Sequence, residues 1–137
     1  MIEIDLTRFE LFKSFCEIES HGFYIDLHNE FKCDSINFQN QKRELILSFK
    51  LAYNVANKIR RVDIVFEDAI IESFIFKDNQ ESAEEWTIDN IYRGRFEIGK
   101  ETLSEISDDG RYCYYIDFYP SYSFELFAKI VKAIFYE

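Results

Sequence analysis

At five places the chain sets large apolar side chains at every second position. Phe23, Ile25 and Leu27 alternate with Tyr24, Asp26 and His28. Leu45, Leu47, Phe49 and Leu51 alternate with Ile46, Ser48 and Lys50, and Val62, Ile64 and Phe66 with Asp63, Val65 and Glu67. Ile70, Glu72, Phe74 and Phe76 alternate with Ile71, Ser73 and Ile75, and Tyr112, Tyr114, Ile116 and Phe118 with Arg111, Cys113, Tyr115 and Asp117. A period of two puts one set of side chains on one face of an extended strand, which a helix cannot do. The residues are mostly β-branched or aromatic, as strands favour. Ile36 with Phe38, and the run Ile91 to Ile98, predict two more strands. Turn signals at Asn40-Gln41, Glu67-Asp68, Asp78-Asn79 and Asp108-Asp109-Gly110 separate them. The connections are too short for crossover helices, so the sheet is expected to be mainly antiparallel. Residues 69–76 and 112–118 are apolar or aromatic on both faces, which predicts a sheet covered on both sides or curled around one.

The two ends of the chain show a different period. Thr7-Arg8-Phe9-Glu10 fits a helix capping box, with Leu6 and Leu11 placed as a hydrophobic staple. Phe9, Phe12, Phe15 and Cys16 continue at helical spacing, and Gly22 is a plausible stop. Ile2, Ile4 and Leu6 allow a short strand before it. Near the other end Phe124, Phe127, Ile130, Val131, Ile134 and Phe135 form a stripe at 3.6 spacing, after Pro120 and a Ser121 or Ser123 cap. The expected fold is therefore α+β, with residues 1–137 in one domain. A twisted, mainly antiparallel sheet of about six to eight strands, open or curled into a partial barrel, is packed by an N-terminal and a C-terminal amphipathic helix.

Charge narrows the function. The chain of 137 residues has 26 acids against 16 bases, net −10, which opposes nucleic acid and anionic membranes and favours a basic protein partner. The excess is uneven: residues 1–30 carry 7 acids and 2 bases, residues 31–66 carry 3 and 7, and residues 67–110 carry 13 and 4. At 47% hydrophobic the composition excludes a largely disordered chain. Its longest apolar stretches, such as Tyr112–Ile116 and Ala133–Tyr136, fall far short of the roughly 20 residues that cross a bilayer as a helix. An acidic start, Met1-Ile2-Glu3-Ile4-Asp5, and three widely spaced cysteines (Cys16, Cys33, Cys113) predict a cytoplasmic protein without a disulfide framework.

Few constellations carry chemistry. Cys16, His21, His28 and Cys33 have the composition of a zinc set, but their spacing matches no close-paired form, so small core cysteines and surface histidines are expected instead. Neither Cys16 nor Cys113 sits at a glycine elbow that would expose a nucleophile. The acid pairs Glu67-Asp68, Glu84-Glu85 and Asp108-Asp109 read as solvated turns. No phosphate-binding loop is present, and Arg93-Gly94-Arg95, flanked by Tyr92 and Phe96 that could stack bases, reads instead as a strand with outward arginines paired to neighbouring acids. No catalytic, metal or cofactor site is expected, and the chain is not expected to be an enzyme.

Two features suit recognition. Asp78 to Asp89 holds five acids, no base, and the only tryptophan. Glu81, Glu84, Glu85, Trp86 and Asp89 are the candidate partner-binding residues: acids steer a basic partner and an aromatic anchors it. The competing reading has Trp86 opening a strand and pointing inward. Tyr112, Tyr114, Tyr115, Tyr119 and Tyr122 also cluster, and tyrosines give contact area at low entropic cost.

The runs Val62-Asp63-Ile64-Val65-Phe66-Glu67-Asp68-Ala69 and Tyr114-Tyr115-Ile116-Asp117-Phe118, with the length, acidity and lack of a catalytic motif, resemble the small acidic immunity proteins of bacterial polymorphic-toxin systems. That resemblance implies a protein-interaction module inhibiting a basic toxin or nuclease, and it assigns no functional residue. The alternatives are a curled sheet whose aromatics enclose a small apolar ligand, and a domain with no catalytic activity.

Overall fold

The structure, a computed structural model, describes residues 1–76, 86–96, 103–104, 109–119 and 122–137. Along the chain run β1 (Ile2–Asp5), β2 (Glu17–Ser20), β3 (Phe23–Asp26), a single helical turn α1 (Leu27–Glu30), β4 (Phe31–Gln39), β5 (Glu44–Leu51) and β6 (Arg61–Glu67). They continue with β7 (Ile70–Phe76), β8 (Thr87–Arg93), β9 (Arg95–Phe96), β10 (Leu103–Ser104), β11 (Tyr112–Tyr119), β12 (Tyr122–Ala128) and β13 (Ile130–Tyr136). One sheet has the order β1-β13-β6-β5-β4 and another β7-β12-β11-β8, with smaller pairs β2-β3 and β9-β10. Every pairing among the described strands is antiparallel.

The two large sheets share a bent ribbon. β6 passes into β7 through Asp68 and Ala69, and β12 into β13 through Lys129. Ile130 faces Glu67 in one sheet and Phe127 faces Ile70 in the other, so one register runs through the corner. Asp68 takes a φ of 51° there. Arg111 ties the corner down: its Nε donates to the Asp68 carbonyl at 2.8 Å, its Nη2 to Asp68 Oδ1 at 2.7 Å, and it also reaches Asp109. Lys129 Nζ stands 3.2 Å from Asp68 Oδ2. Hydrogen bonds from Arg111 and Lys129 hold the Asp68 carboxyl below its ordinary value. Away from the corner, β4 meets the start of β8 where Cys33 N–H donates to the Trp86 carbonyl at 2.9 Å.

Between the sheets lies one cluster of buried side chains. Leu47, Phe49, Ile64, Phe66 and Phe135 enter from the five-stranded sheet, and Ile91, Tyr114, Ile116 and Phe118 from the four-stranded one. Phe66 meets Tyr114 edge to face at 5.5 Å, and the Tyr114 hydroxyl donates to the Thr7 carbonyl at 2.8 Å. Burying each such ring contributes roughly 1.5–3 kcal/mol.

The expected α+β class is overturned: the structure is mostly β, and neither terminal helix forms. Residues 6–16 are irregular. Thr7 does not cap a helix; its N–H and hydroxyl turn back to Asp5 Oδ1 at 2.9 and 2.6 Å, which lowers the Asp5 pKa. The same hydroxyl accepts from Val131 N–H at 3.0 Å. Further on, Phe12 and Phe15 N–H groups donate to the Arg93 and Ile91 carbonyls, both at 2.9 Å, so the segment lines the edge of β8. Partners on other strands outweigh a modest helix propensity. Gly22 is no helix stop. With His21 it makes the two-residue β2–β3 turn, both residues at positive φ (78° and 55°), the geometry that matches strand twist.

At the other end the 3.6-spaced stripe is two strands out of phase. Tyr122, Phe124, Leu126 and Ala128 are buried, then Val131, Ala133 and Phe135. The one-residue slip at Lys129 is the corner, and it imitates a helical repeat. Ile130, counted in the stripe, is 43% exposed. The expectation of cover on both faces also fails at β7, whose Ile70, Phe74 and Ile75 are exposed. No helix among the described residues is long and apolar enough to cross a membrane.

Candidate functional site

Alternation along β11 sends Tyr114, Ile116 and Phe118 into the core and Cys113, Tyr115, Asp117 and Tyr119 to the opposite face. Cross-strand register extends that outer face. Tyr115 lies between Tyr92 of β8 and Glu125 of β12, and Asp117 between Asn90 and Ser123. A bulge in β7 sets Ser73 opposite Glu125 and leaves Glu72 as the extra residue. The Tyr92 and Tyr115 rings are 5.2 Å apart at 32°, and Phe12 lies 5.8 Å from Tyr92. Part of this face holds a depression of about 90 Å³ lined by Tyr92, Tyr115, Glu72, Glu125, Gly94 and Phe127 among others. Gly94 is required at its rim: its φ is +126°, and a Cβ there would stand 2.7 Å from the Phe12 ring.

The electrostatics of this face are one-sided. Asp117 Oδ1 is buried without a hydrogen-bond partner. Burial, then the nearby Asp89 charge, push the Asp117 carboxyl above its ordinary value, against bonds from the Asn90 backbone and side chain. Burial, aided by surrounding carboxylates that include Asp117 and Glu125, likewise raises Tyr92 and Tyr115. The described residues of β8, β11 and β12 contribute no lysine or arginine to this face; at its end Lys32 Nζ of β4 donates to Thr87 Oγ1 at 3.0 Å.

The residues singled out from the sequence are dispersed. Glu81, Glu84 and Glu85 lie outside the described residues. Trp86 is half-buried against the core side of its sheet, stacked on Tyr122 at 4.4 Å and 5.5 Å from Phe118. Asp89 is the extra residue of a bulge in β8, 3.5 Å from His28 Nδ1. That nitrogen donates to the Ile88 carbonyl at 2.6 Å. Glu17, Asp26, His28 and Asp89 line another hollow. Asp26 there is satisfied, accepting from the Asn29 backbone at 3.0 Å and its side chain at 2.8 Å.

The four zinc-type residues do not converge. His21 sits in an exposed turn beside Ser20, His28 bonds Ile88, and no group of three or more metal-type side chains occurs among the described residues. None of the three cysteines is in a disulfide, and burial pushes the Cys16 and Cys33 thiols up to about 11 and 12, which keeps them protonated at neutral pH. Arg93 is not outward as expected. It is buried, donates from Nε to the Phe9 carbonyl at 2.9 Å, and lies 5.4 Å over the Tyr112 ring. Sequence inspection missed Asp117 and Glu125. The available signal was their i, i+2 spacing with Tyr115 and Ser123, which places each pair on one strand face. No protein-family model, curated protein or solved structure matches this chain.

Proposed function

We propose that the protein is an interaction module that captures a basic protein partner on the outer face of its four-stranded sheet. The specific form of this role is the immunity-type one: occlusion of a basic toxin or nuclease by carboxylates that take the place of substrate phosphates. One observation carries the proposal. Asp117, Glu125, Tyr92 and Tyr115 share one face on which the described residues of β8, β11 and β12 place no lysine or arginine. Carboxylates raise the rate at which a positive partner is met, and tyrosines hold it with little loss of side-chain freedom. The alternative, a small apolar ligand held inside, has less in its favour: large rings from both sheets occupy the space between them.

The test is an amide shift map of the labelled protein titrated with a short lysine–arginine peptide. Shifts are expected on β8, β11 and β12, weakening as salt rises and disappearing in Asp117→Lys with Glu125→Lys. Shifts confined to the five-stranded sheet, or equal shifts with a glutamate peptide, would overturn the proposal.

A further inference from the structure

We infer that the open end of β4, residues 35–39, pairs edge to edge with the same residues of a second copy of this chain, antiparallel about a two-fold axis at Asn37. The contact lies on the five-stranded sheet and is independent of the basic-partner face.

Backbone direction along β5 fixes which groups of β4 look outward. Leu51 N–H donates to the Arg60 carbonyl at 3.0 Å, and Ala52 N–H to the Glu30 carbonyl at 2.9 Å. Residues of β5 that bond β6 therefore alternate with residues that bond β4, and Glu44, Ile46 and Ser48 are of the second kind. Their counterparts Gln39, Asn37 and Ser35 turn their backbone groups toward β5. Ile36 and Phe38 turn theirs the other way, off the end of the sheet. No described residue pairs with those two N–H and two carbonyl groups.

The open stretch has definite limits. On one side Cys33 N–H is already taken by the Trp86 carbonyl at 2.9 Å, and Asp34 is the extra residue of a bulge. On the other side the strand ends at Gln39. The midpoint is Asn37. An antiparallel copy centred there sets Ser35 against Gln39 and Ile36 against Phe38, so each outward N–H meets an outward carbonyl. The second strand ends before it would reach Trp86.

The side chains suit such a pairing. Residues 35–39 carry no charge and no proline, the usual devices that keep sheet edges apart. By contrast β1, at the other end of the same sheet, is only four residues long and carries Glu3 and Asp5. Ile36 and Phe38 are partly buried on the core side and would meet across the axis. Asn37 is exposed on the opposite side, where its amide can both donate to and accept from its own copy.

Charge favours a second copy over a foreign strand. Just before the open stretch stand Glu30, Lys32 and Asp34, two acids and one base; just after it stand Lys42, Arg43 and Glu44, two bases and one acid. Antiparallel pairing brings the acid-rich end of each copy to the base-rich end of the other. A parallel pairing would set like ends together. Five residues a side bury far less than the roughly 1,000 Å² of a lasting interface, so the dimer belongs to high protein concentration.

The test combines sedimentation velocity with amide hydrogen exchange on the whole protein, in dilute solution and at about 1 mM. The average mass should rise toward that of a dimer, and exchange at Ile36 and Phe38 should slow at least about threefold. Asn37→Lys and Asn37→Glu, each at an exposed position, should each abolish association by setting like charges face to face. An equal mixture of the two should associate again, at least as strongly as wild type, while Glu3→Gln changes nothing. A protein still monomeric at the upper concentration would overturn the inference, as would a mixture that does not associate. Slow exchange at Ile36 and Phe38 that ignores concentration would mean the edge is covered within its own chain, and association that survives both Asn37 variants would place the contact elsewhere; either result removes the inference.

Discussion

On the outer side of the five-stranded sheet, cations and carboxylates answer one another across strands. Lys132 Nζ stands 3.5 Å from Glu3 and 2.6 Å from Glu67. Arg61 grips Asp63 with Nε and Nη2 at 3.0 and 2.8 Å, and Lys50 lies 3.1 Å from Asp34. On the corresponding side of the four-stranded sheet, β8, β11 and β12 place Asp117 and Glu125 among tyrosines and no described lysine or arginine of their own. Both faces arise from the same two-residue alternation over the same core. Strand geometry thus decides which residues face out, while the choice of charge decides what that face is for. One is neutralised within itself; on the other, acids outnumber the described bases.

The contrast can be broken in several ways, beginning with the core that both faces share. Phe66→Ala should cost about 3–5 kcal/mol in urea unfolding, because it removes a fully buried ring from the junction of the sheets. Signals from Tyr136 on one face and Tyr115 on the other should be lost together; two separate transitions would mean the faces do not share a core. A smaller loss, read as a lowered urea midpoint, is expected for Arg111→Met, which frees the corner at Asp68.

Matched substitutions then separate the faces. Asp63→Asn should cost about 1–2 kcal/mol, since the carboxylate is nearly fully buried and holds a two-pronged bond from Arg61. Asp117→Asn should leave stability at about pH 7 unchanged or raised, because it removes a carboxylate with an unanswered oxygen. Its folded carboxyl titrates above the ordinary 3.8, so the folded state holds its proton more tightly than the unfolded chain does. Wild type and Asp117→Asn should match below that value, and wild type should fall behind as pH rises through the elevated one. Asp68 has the opposite sign, its contribution present above 3.8 and lost as pH falls through its lowered value. A parallel course of the two stability–pH curves would break the contrast. The least effect, within about 0.5 kcal/mol, is expected for Glu3→Gln, half of an exposed pair.

The strands were the legible part of the sequence. Alternation at 45–51, 62–67, 70–76 and 112–118 corresponds to β5, β6, β7 and β11 with small shifts at the ends. Residues 6–16 were misread because a capping box is a local pattern, and the bonds that overrule it reach Val131 and Arg93, far away in sequence. Residues 124–135 were misread because a phase slip at a corner looks like a helical period. Legibility of the site ended at the bulges. Glu72 and Asp89 owe their positions to one extra residue in β7 and in β8, and no spacing rule places such an insertion.

The position of β13 between β1 and β6 has a consequence for how the chain is made. Until residues 130–136 have left the ribosome, β1 has no neighbour and β6 keeps one bare edge. The bent ribbon likewise waits, since β7 needs β12. β2 with β3 and β4 with β5 and β6 can pair early, but β1 and β7 must wait for strands more than 40 residues on, distant pairings of the kind that close slowly. In a crowded cell that interval exposes Ile70–Phe76, an apolar strand with a single charge, so chaperone dependence during synthesis should exceed that of a helical chain of equal length.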